Sequence, residues 1–235
     1  QLLKQVYLWS VQRKIIETAD GSKTIHIEDW DEHYHSINGA HQEAMHVFTD
    51  KVRERIAGRN EITILEMGFG TGLNSFLTLQ LASELNIKVN YCGLEAFPVN
   101  REELEALNYA SLWNEGSPFF ERIHDSEWGR KVDIHPNLSL TKMATKFEDW
   151  ETIPNTFDFI YFDAFGPRVQ PELWTIPIFE KMFDSAKVGA FFLTYCAKGQ
   201  VRRDLGVVGF EMERLPGPPG KREMLLGKKT LSDFA

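Results

Sequence analysis

The chain has 235 residues, 43% hydrophobic and 26% charged, and carries a net charge of −8 at pH 7. This composition is ordinary for a globular protein with one sizeable core, and no apolar run approaches the roughly 20 residues needed to span a bilayer. The negative total argues against a general nucleic-acid binder, whose affinity comes from neutralising phosphates.

The N-terminal stretch QLLKQVYLWSVQRK has neither the apolar core nor the small-residue cleavage site of a signal peptide, which predicts a cytoplasmic location. VQRKIIET and KTIHIED flank ADGS, whose Asp-Gly is a hairpin turn signal, so a small antiparallel unit is predicted at about residues 6–28. From about Gly39 the spacing of Ala40, Ala44, Val47, Val52 and Ile56 predicts a helix. The pattern then alternates. ITILEM (62–67) reads as a buried strand, GFGTG as a loop and LNSFLTLQLASEL as a helix; KVNYCGLE (88–95) is a second strand, followed by a helix at 98–108 with Pro98 in its first turn. Residues 109–137 read as an irregular insertion. LSLTKMAT (138–145) and FDFIYFD (157–163) are strands three and four, and a helix follows in which Pro177 predicts a break or kink. A fifth strand at 188–197, a helix at about 198–208 and a closing pair joined by PGPPG complete the chain. Strands alternating with helices predict an α/β fold: a mostly parallel, seven-stranded sheet covered on both faces. Ligands in such sheets sit at the carboxyl ends of the strands, where the strand order reverses.

Four features stand at those strand ends. In EMGFGTG, Gly68, Gly70 and Gly72 let the backbone turn sharply and approach a ligand. The spacing is neither G-x-G-x-x-G nor a P-loop. A tight loop preceded by an acid suits S-adenosylmethionine, with Glu66 favouring its positive end and backbone N–H groups meeting its carboxylate. Glu95 ends the second strand, 23 residues after Gly72, where a ribose diol would need an acceptor. Asp149, in FEDW, suits an adenine amine, with Phe147 or Trp150 near the ring; the same pattern also opens ordinary helices. Asp163 ends the fourth strand beside the glycine loop, and Phe165, Gly166 and Pro167 stiffen the segment after it. A carboxylate there can accept hydrogen bonds from an amine held in line with a transferable methyl group.

Other side chains carry weaker signals. His33, His35, His41 and His46 are not read as a metal site: no Cys joins them, and the 41/46 pair misses i, i+4 spacing. Cys92 and Cys196, each in an apolar stretch, read as free thiols of a reducing compartment. From Lys198 onward there are eight Lys/Arg against five Asp/Glu, a net of +3, which leaves −11 for residues 1–197. That basic third suits a polyanion docking at one edge or a solvated surface, and the same two readings hold for Lys221 and Arg222.

The blocks EMGFGTGLN, LEAFP, DAFGP, PELWT, GQVRRDL and GKREML occur in that order, and over about residues 30–227 the chain resembles the methyltransferase module of MnmC-type tRNA-modifying enzymes, in its stand-alone form. The resemblance implies a Rossmann-like class I methyltransferase domain at 59–235, with residues 1–58 as a hairpin-and-helix lead-in packed on it. It implies S-adenosylmethionine as cofactor, held by Gly68, Gly70, Gly72 and Glu95. The substrate it implies is tRNA, at a wobble 5-aminomethyl-(2-thio)uridine whose amine faces Asp163, with Lys221 and Arg222 near the entrance. A separate flavin-dependent oxidase would prepare that amine. Tyr34, Phe165 and Trp174 would then stack on a splayed uracil, beside Pro167. The alternatives are another small-molecule or protein amine as acceptor, a polyamine synthase, whose first loop favours a run of glycines with an Asp, and a non-catalytic adaptor, which would have lost the glycines or Asp163.

Overall fold

A computed structural model describes residues 12–113 and 115–231. Strands β1 (Arg13–Glu17) and β2 (Lys23–Ile27) form the expected hairpin, paired from Arg13↔Ile27 to Glu17↔Lys23 around the Asp20–Gly21 turn; the earlier part of the predicted unit, 6–11, lies outside the described residues. A two-residue strand, β3 (Glu32–His33), adds to β2, so the unit is a three-stranded sheet. The helix predicted from Gly39 runs as α1 (Ala40–Ala44), a π-helical turn (Met45–Thr49) and α2 (Asp50–Arg53). Asp20 ties hairpin to helix: its Oδ2 accepts from the Gln42 N–H at 2.9 Å and its Oδ1 from Thr18 Oγ1 at 2.8 Å.

The main sheet has eight strands rather than seven: β4 (Glu61–Met67), β5 (Lys88–Glu95), β6 (Lys131–His135), β7 (Leu138–Ala144), β8 (Phe157–Phe162), β9 (Ala186–Thr194), β10 (Phe210–Pro216) and β11 (Glu223–Lys229). Their spatial order is β10-β11-β9-β8-β4-β5-β7-β6. The five central strands are parallel, while β6 pairs antiparallel with β7 and β11 antiparallel with β9 and β10. The eighth strand comes from the segment read as irregular. It contains α5 (Ser117–Asp125), which opens at Pro118, and then β6. Proline in a first turn is a helix-start signal, and Phe120 and Ile123 of that helix are buried.

The remaining helices are α3 (Leu73–Leu85), α4 (Arg101–Ala106), α6 (Ile176–Ser185) and α7 (Gly199–Val208). Pro177 begins α6 instead of kinking it, because a separate 3₁₀ turn, Pro171–Leu173, takes up the preceding residues. Pro98 likewise precedes α4, which starts at a capping box of Asn100 and Glu103. In β8 all six residues are buried; Phe159 and Tyr161 join the core under α1 and α3, while Phe157, Ile160 and Phe162 join the core under α6 and α7. Both faces are thus covered, as a parallel sheet requires. The strand order reverses at β4, so the loops after β4 and β8 lie side by side at the carboxyl edge. Among the described residues no helix is long and apolar enough to cross a membrane.

Candidate active site

The Met67 carbonyl of β4 accepts from the Asp163 N–H at 2.9 Å, which brings the end of β8 against the glycine loop. Gly68 sits at that junction with φ +95°. A Cβ there would stand 2.6 Å from the Asp163 carbonyl oxygen, so only glycine admits so close an approach of the two chains. The Gly68 and Phe69 N–H groups both donate to the Leu94 carbonyl, at 3.1 and 2.9 Å, which lashes the loop to β5 as well. At Gly70 an added Cβ would meet Tyr34 at 3.3 Å, and at Gly72 it would meet His124 at 2.9 Å. The insertion therefore underpins the loop: His124 of α5 sits behind Gly72, and Phe69 packs edge-on to Trp128 at 6.1 Å.

The loop floors a cavity of about 1030 Å³ at the carboxyl edge, as large as the biggest typical small-molecule sites, which reach about 1,000 Å³. It is lined by Gly68–Thr71, Glu95–Phe97 and Lys146–Asp149, and by Glu32–Ile37, Glu43, Asp163–Phe165, Gln170, Glu172, Leu173, Tyr195 and Lys221. Glu95 is held by two backbone donors, the Gly70 N–H to Oε2 at 2.9 Å and the Phe97 N–H to Oε1 at 2.8 Å. Burial raises its carboxyl, and these N–H groups pull it back; each oxygen keeps a further lone pair for a ligand. Asp149 is exposed on the rim beside the buried Phe147.

Beside the loop, burial and then the Glu43 charge push the Asp163 carboxyl up to about 7, against the Asn74 hydrogen bond and Lys221. Lys221 Nζ pairs with Glu43 Oε1 at 2.5 Å and lies 3.8 Å from the Tyr195 ring centroid. The Tyr195 hydroxyl donates to the Ala164 carbonyl at 2.9 Å, fixing the segment just after Asp163. Phe165 meets Tyr34 edge-to-face at 5.0 Å, so the N-terminal unit supplies one side of the aromatic wall. His35, its imidazole lowered to about 4 by burial, shares a hydrogen bond with Thr71 of the loop at 2.8 Å.

Tyr34, Gly68, Gly70, Glu95, Asp149, Asp163, Phe165 and Lys221 thus gather on one cavity. Five expected residues stand elsewhere. Gly72 turns the chain into α3 behind the wall. Trp174 is 6% exposed, packs on Phe162 at 4.9 Å, and donates from Nε1 to the Phe165 carbonyl at 2.8 Å; it braces the loop and presents no face to the cavity. Pro167 is half-buried in the turn beyond the wall and Arg222 is exposed outside it. Glu66 is fully buried beneath the loop, where Asn74 binds it. Sequence reasoning missed Glu43, Asn74, Phe97 and Tyr195. Asn74 and Phe97 lie within the quoted blocks EMGFGTGLN and LEAFP without a role read for them, and no spacing rule marks Glu43 or Tyr195. Among the described residues no cluster of His, Cys, Asp or Glu has metal-binding geometry.

The lining holds seven carboxylates against two lysines. With backbone at the glycine loop, a double acceptor at Glu95 and the Phe97 ring, it fits a cationic ligand with a nucleoside end, as S-adenosylmethionine is. A sequence profile described as S-adenosyl-L-methionine-dependent methyltransferase matches residues 120–230. The tRNA 5-methylaminomethyl-2-thiouridine biosynthesis bifunctional protein MnmC of Nitrosospira multiformis is 31% identical over 211 residues, 83% of this chain and 33% of that protein. The protein of the same name in Aromatoleum aromaticum is 32% identical over 209 residues, 83% of this chain and 32% of that protein. The chain therefore spans about a third of the length of these relatives. Among solved structures, MnmC2 of Aquifex aeolicus superposes with a TM-score of 0.72 at 26% identity, covering 93% of this chain and 70% of that one. Spermidine synthase of Thermotoga maritima, with a TM-score of 0.51 at 13% identity over 93% of this chain and 74% of that one, shares the fold alone. On fold, loop and relatives, the chain belongs to the S-adenosyl-L-methionine-dependent methyltransferases, in the MnmC-type family.

Proposed function

We propose that this protein methylates the primary amine of 5-aminomethyl-(2-thio)uridine at the wobble position of tRNA, giving 5-methylaminomethyl-(2-thio)uridine. The observation that carries the reading is Asp163, half-buried between the glycine loop and the Tyr34–Phe165 wall in a cavity large enough for cofactor and a flipped nucleoside together. The relatives, named for 5-methylaminomethyl-2-thiouridine biosynthesis in tRNA, support this choice of acceptor.

S-adenosylmethionine supplies the methyl group on a sulfonium and leaves as the neutral thioether. The chain's part is to position the two ligands and to manage one proton; positioning contributes up to about 7–11 kcal/mol in well-oriented reactions. Gly68, Gly70, Glu95 and Asp149 hold the cofactor end, and Phe165 and Tyr34 stack or edge the uracil. An alkyl amine arrives as an ammonium and must lose a proton before its nitrogen can attack. An ordinary carboxylate is a poor acceptor for that proton, but one raised to about 7 is a better one. Asp163 takes the proton, and its remaining acceptor oxygen then holds an amine N–H so that the lone pair is free to point at the methyl group while the N–C bond forms and the C–S bond breaks; the positive charge passes to the product nitrogen and is met by the acidic wall. Lys221 and Arg222 stand toward the phosphates of the entering strand. A separate flavin-dependent oxidase supplying the primary amine, and a cytoplasmic setting in keeping with the free Cys92 and Cys196, belong to the same proposal.

The test incubates the protein and S-adenosylmethionine with tRNA bearing aminomethyluridine and analyses the nucleosides by mass spectrometry. A gain of one methyl at the wobble nucleoside is expected, with Asp163→Asn retaining cofactor binding and losing at least about 100-fold in turnover. Cofactor binding without that mass gain would redirect the reading to another amine.

A further inference from the structure

Glu66 is the penultimate residue of β4, yet it lines no part of the cavity. Its Oε1 accepts a hydrogen bond from Asn74 Nδ2 at 2.8 Å. The same nitrogen donates to Asp163 Oδ2, also at 2.8 Å. Asn74, 2% exposed in the first turn of α3, has an Oδ1 without a partner among the described residues. One primary amide therefore uses its nitrogen on two carboxyl groups while its oxygen goes unsatisfied. A buried carboxyl and a half-buried one joined through one group do not both ionise cheaply, and their protons leave in two separated steps. An amide nitrogen has two hydrogens, one for an acceptor on each side.

We propose that Asn74 is a positioning residue that couples Glu66 to Asp163, so that the pair holds one proton, on Glu66, and Asp163 alone is ionised toward the acceptor amine. This rests on the reading of Asp163 as the group that meets the amine. Glu66 is 0% exposed, and burial holds its carboxyl well above the ordinary range; the Asp163 and Glu95 charges act in the same direction, and only Asn74 and the Tyr91 hydroxyl oppose them. Around the pair stand Tyr91 and Glu95 of β5, Glu43 of α1, Tyr195 after β9 and Lys221 of the β10–β11 loop. Among these only Lys221 favours the Asp163 anion, and it is shared with Glu43; Asn74 is the neutral donor. It follows that Glu66 acts from behind Asp163 and not as an anion against the cofactor.

The experiment titrates the full chain, labelled with ¹³C at its carboxyl carbons, by NMR, and measures the pH profile of methylation in parallel. In the wild type, Asp163 is expected to titrate near 7 and Glu66 to stay protonated throughout. Asn74→Leu fills the space without donating, and should raise the Asp163 midpoint by about one to two pH units, the worth of a hydrogen bond to a charged group. The acid limb of kcat/KM should rise with it, whereas mere structural damage would lower rates at every pH without moving the limb. Glu66→Gln preserves the acceptor and carries no charge, so the Asp163 midpoint should stay within a few tenths of a unit. An unmoved midpoint in Asn74→Leu overturns the coupling; a midpoint lowered by about one unit or more in Glu66→Gln shows that Glu66 was ionised and overturns the single-proton account. If Asn74→Leu does not fold, the Glu66→Gln titration decides. A wild type that titrates as described but leaves aminomethyluridine tRNA unmethylated refutes the proposed substrate and leaves the coupling standing.

Discussion

Asp163 is the residue at which stability and function pull apart. Its folded carboxyl lies near 7, against an unfolded value near 3.8. Because the folded value is raised, the folded state is favoured while the group is protonated. That advantage is lost as pH rises from about 4 through 7, and above 7 the half-buried anion weighs on the fold by about 2–4 kcal/mol. Asp163→Asn should therefore melt several degrees higher than the wild type at pH 8 and converge with it at pH 4, in scanning calorimetry of the cofactor-free protein. A melting temperature at pH 8 equal to or below the wild type would show that the carboxylate is solvated rather than buried. The residue was legible in the sequence because an acid at the end of an all-apolar strand demands a partner. Trp174 was not read in its place. A tryptophan near a proposed nucleobase site looks like a stacking platform, and only the packing shows its ring against Phe162 and its Nε1 on the Phe165 carbonyl.

At the scale of elements, the βα turn after β4 is limited by how closely two backbones approach. Gly68→Ala would combine a positive φ with a Cβ 2.6 Å from a carbonyl oxygen, both on backbone that cannot swing aside. The expected loss is about 2–4 kcal/mol, read by urea denaturation. Gly58 makes the comparison, since its φ is +78° but its Cβ would meet nothing within 4 Å; Gly58→Ala should lose only about 1 kcal/mol from strain. Equal losses at the two sites would mean that the close approach to Asp163 contributes nothing. Elements with strong local signals stand where the sequence puts them: the Asp-Gly hairpin, the apolar strands β4, β5 and β8, and α3. The segment from 109 to 137 does not, because its helix begins at a proline and its strand β6 lies on a sheet edge, with a polar face that resembles a loop. The two other prolines mislead in the same direction: read as a kink and as a first-turn residue, they lie at the start of α6 and ahead of α4.

Over the whole molecule, the charge is sorted by depth. The cavity is acidic, whereas α7 opens immediately after β9 at the same carboxyl edge and carries Arg202 and Arg203 next to Lys198, all exposed. Among the described residues these three, with Arg222, make no ion pair with a carboxylate, unlike Lys221, Arg214 and Lys187. A tRNA docking there would place its phosphates on the basic rim while the extruded base enters the acidic well. The affinity should then fall steeply with salt, and Lys198→Ala, Arg202→Ala and Arg203→Ala should each flatten the plot of log K against log salt by up to about one unit; slopes unchanged in all three would move the docking face elsewhere. By itself the sequence determined the alternation of strands and helices, the glycine loop and the acids at strand ends, because these depend on local periodicity and on residues that must lie next to a strand terminus. The tertiary structure alone decided which of them share a cavity. Neither the Tyr34 wall, brought over from the N-terminal sheet, nor the Asn74 bridge between a carboxyl on β4 and one just past β8 is written in any local pattern; both exist because β8 returns beside β4, far along the chain, and lays Asp163 against the loop.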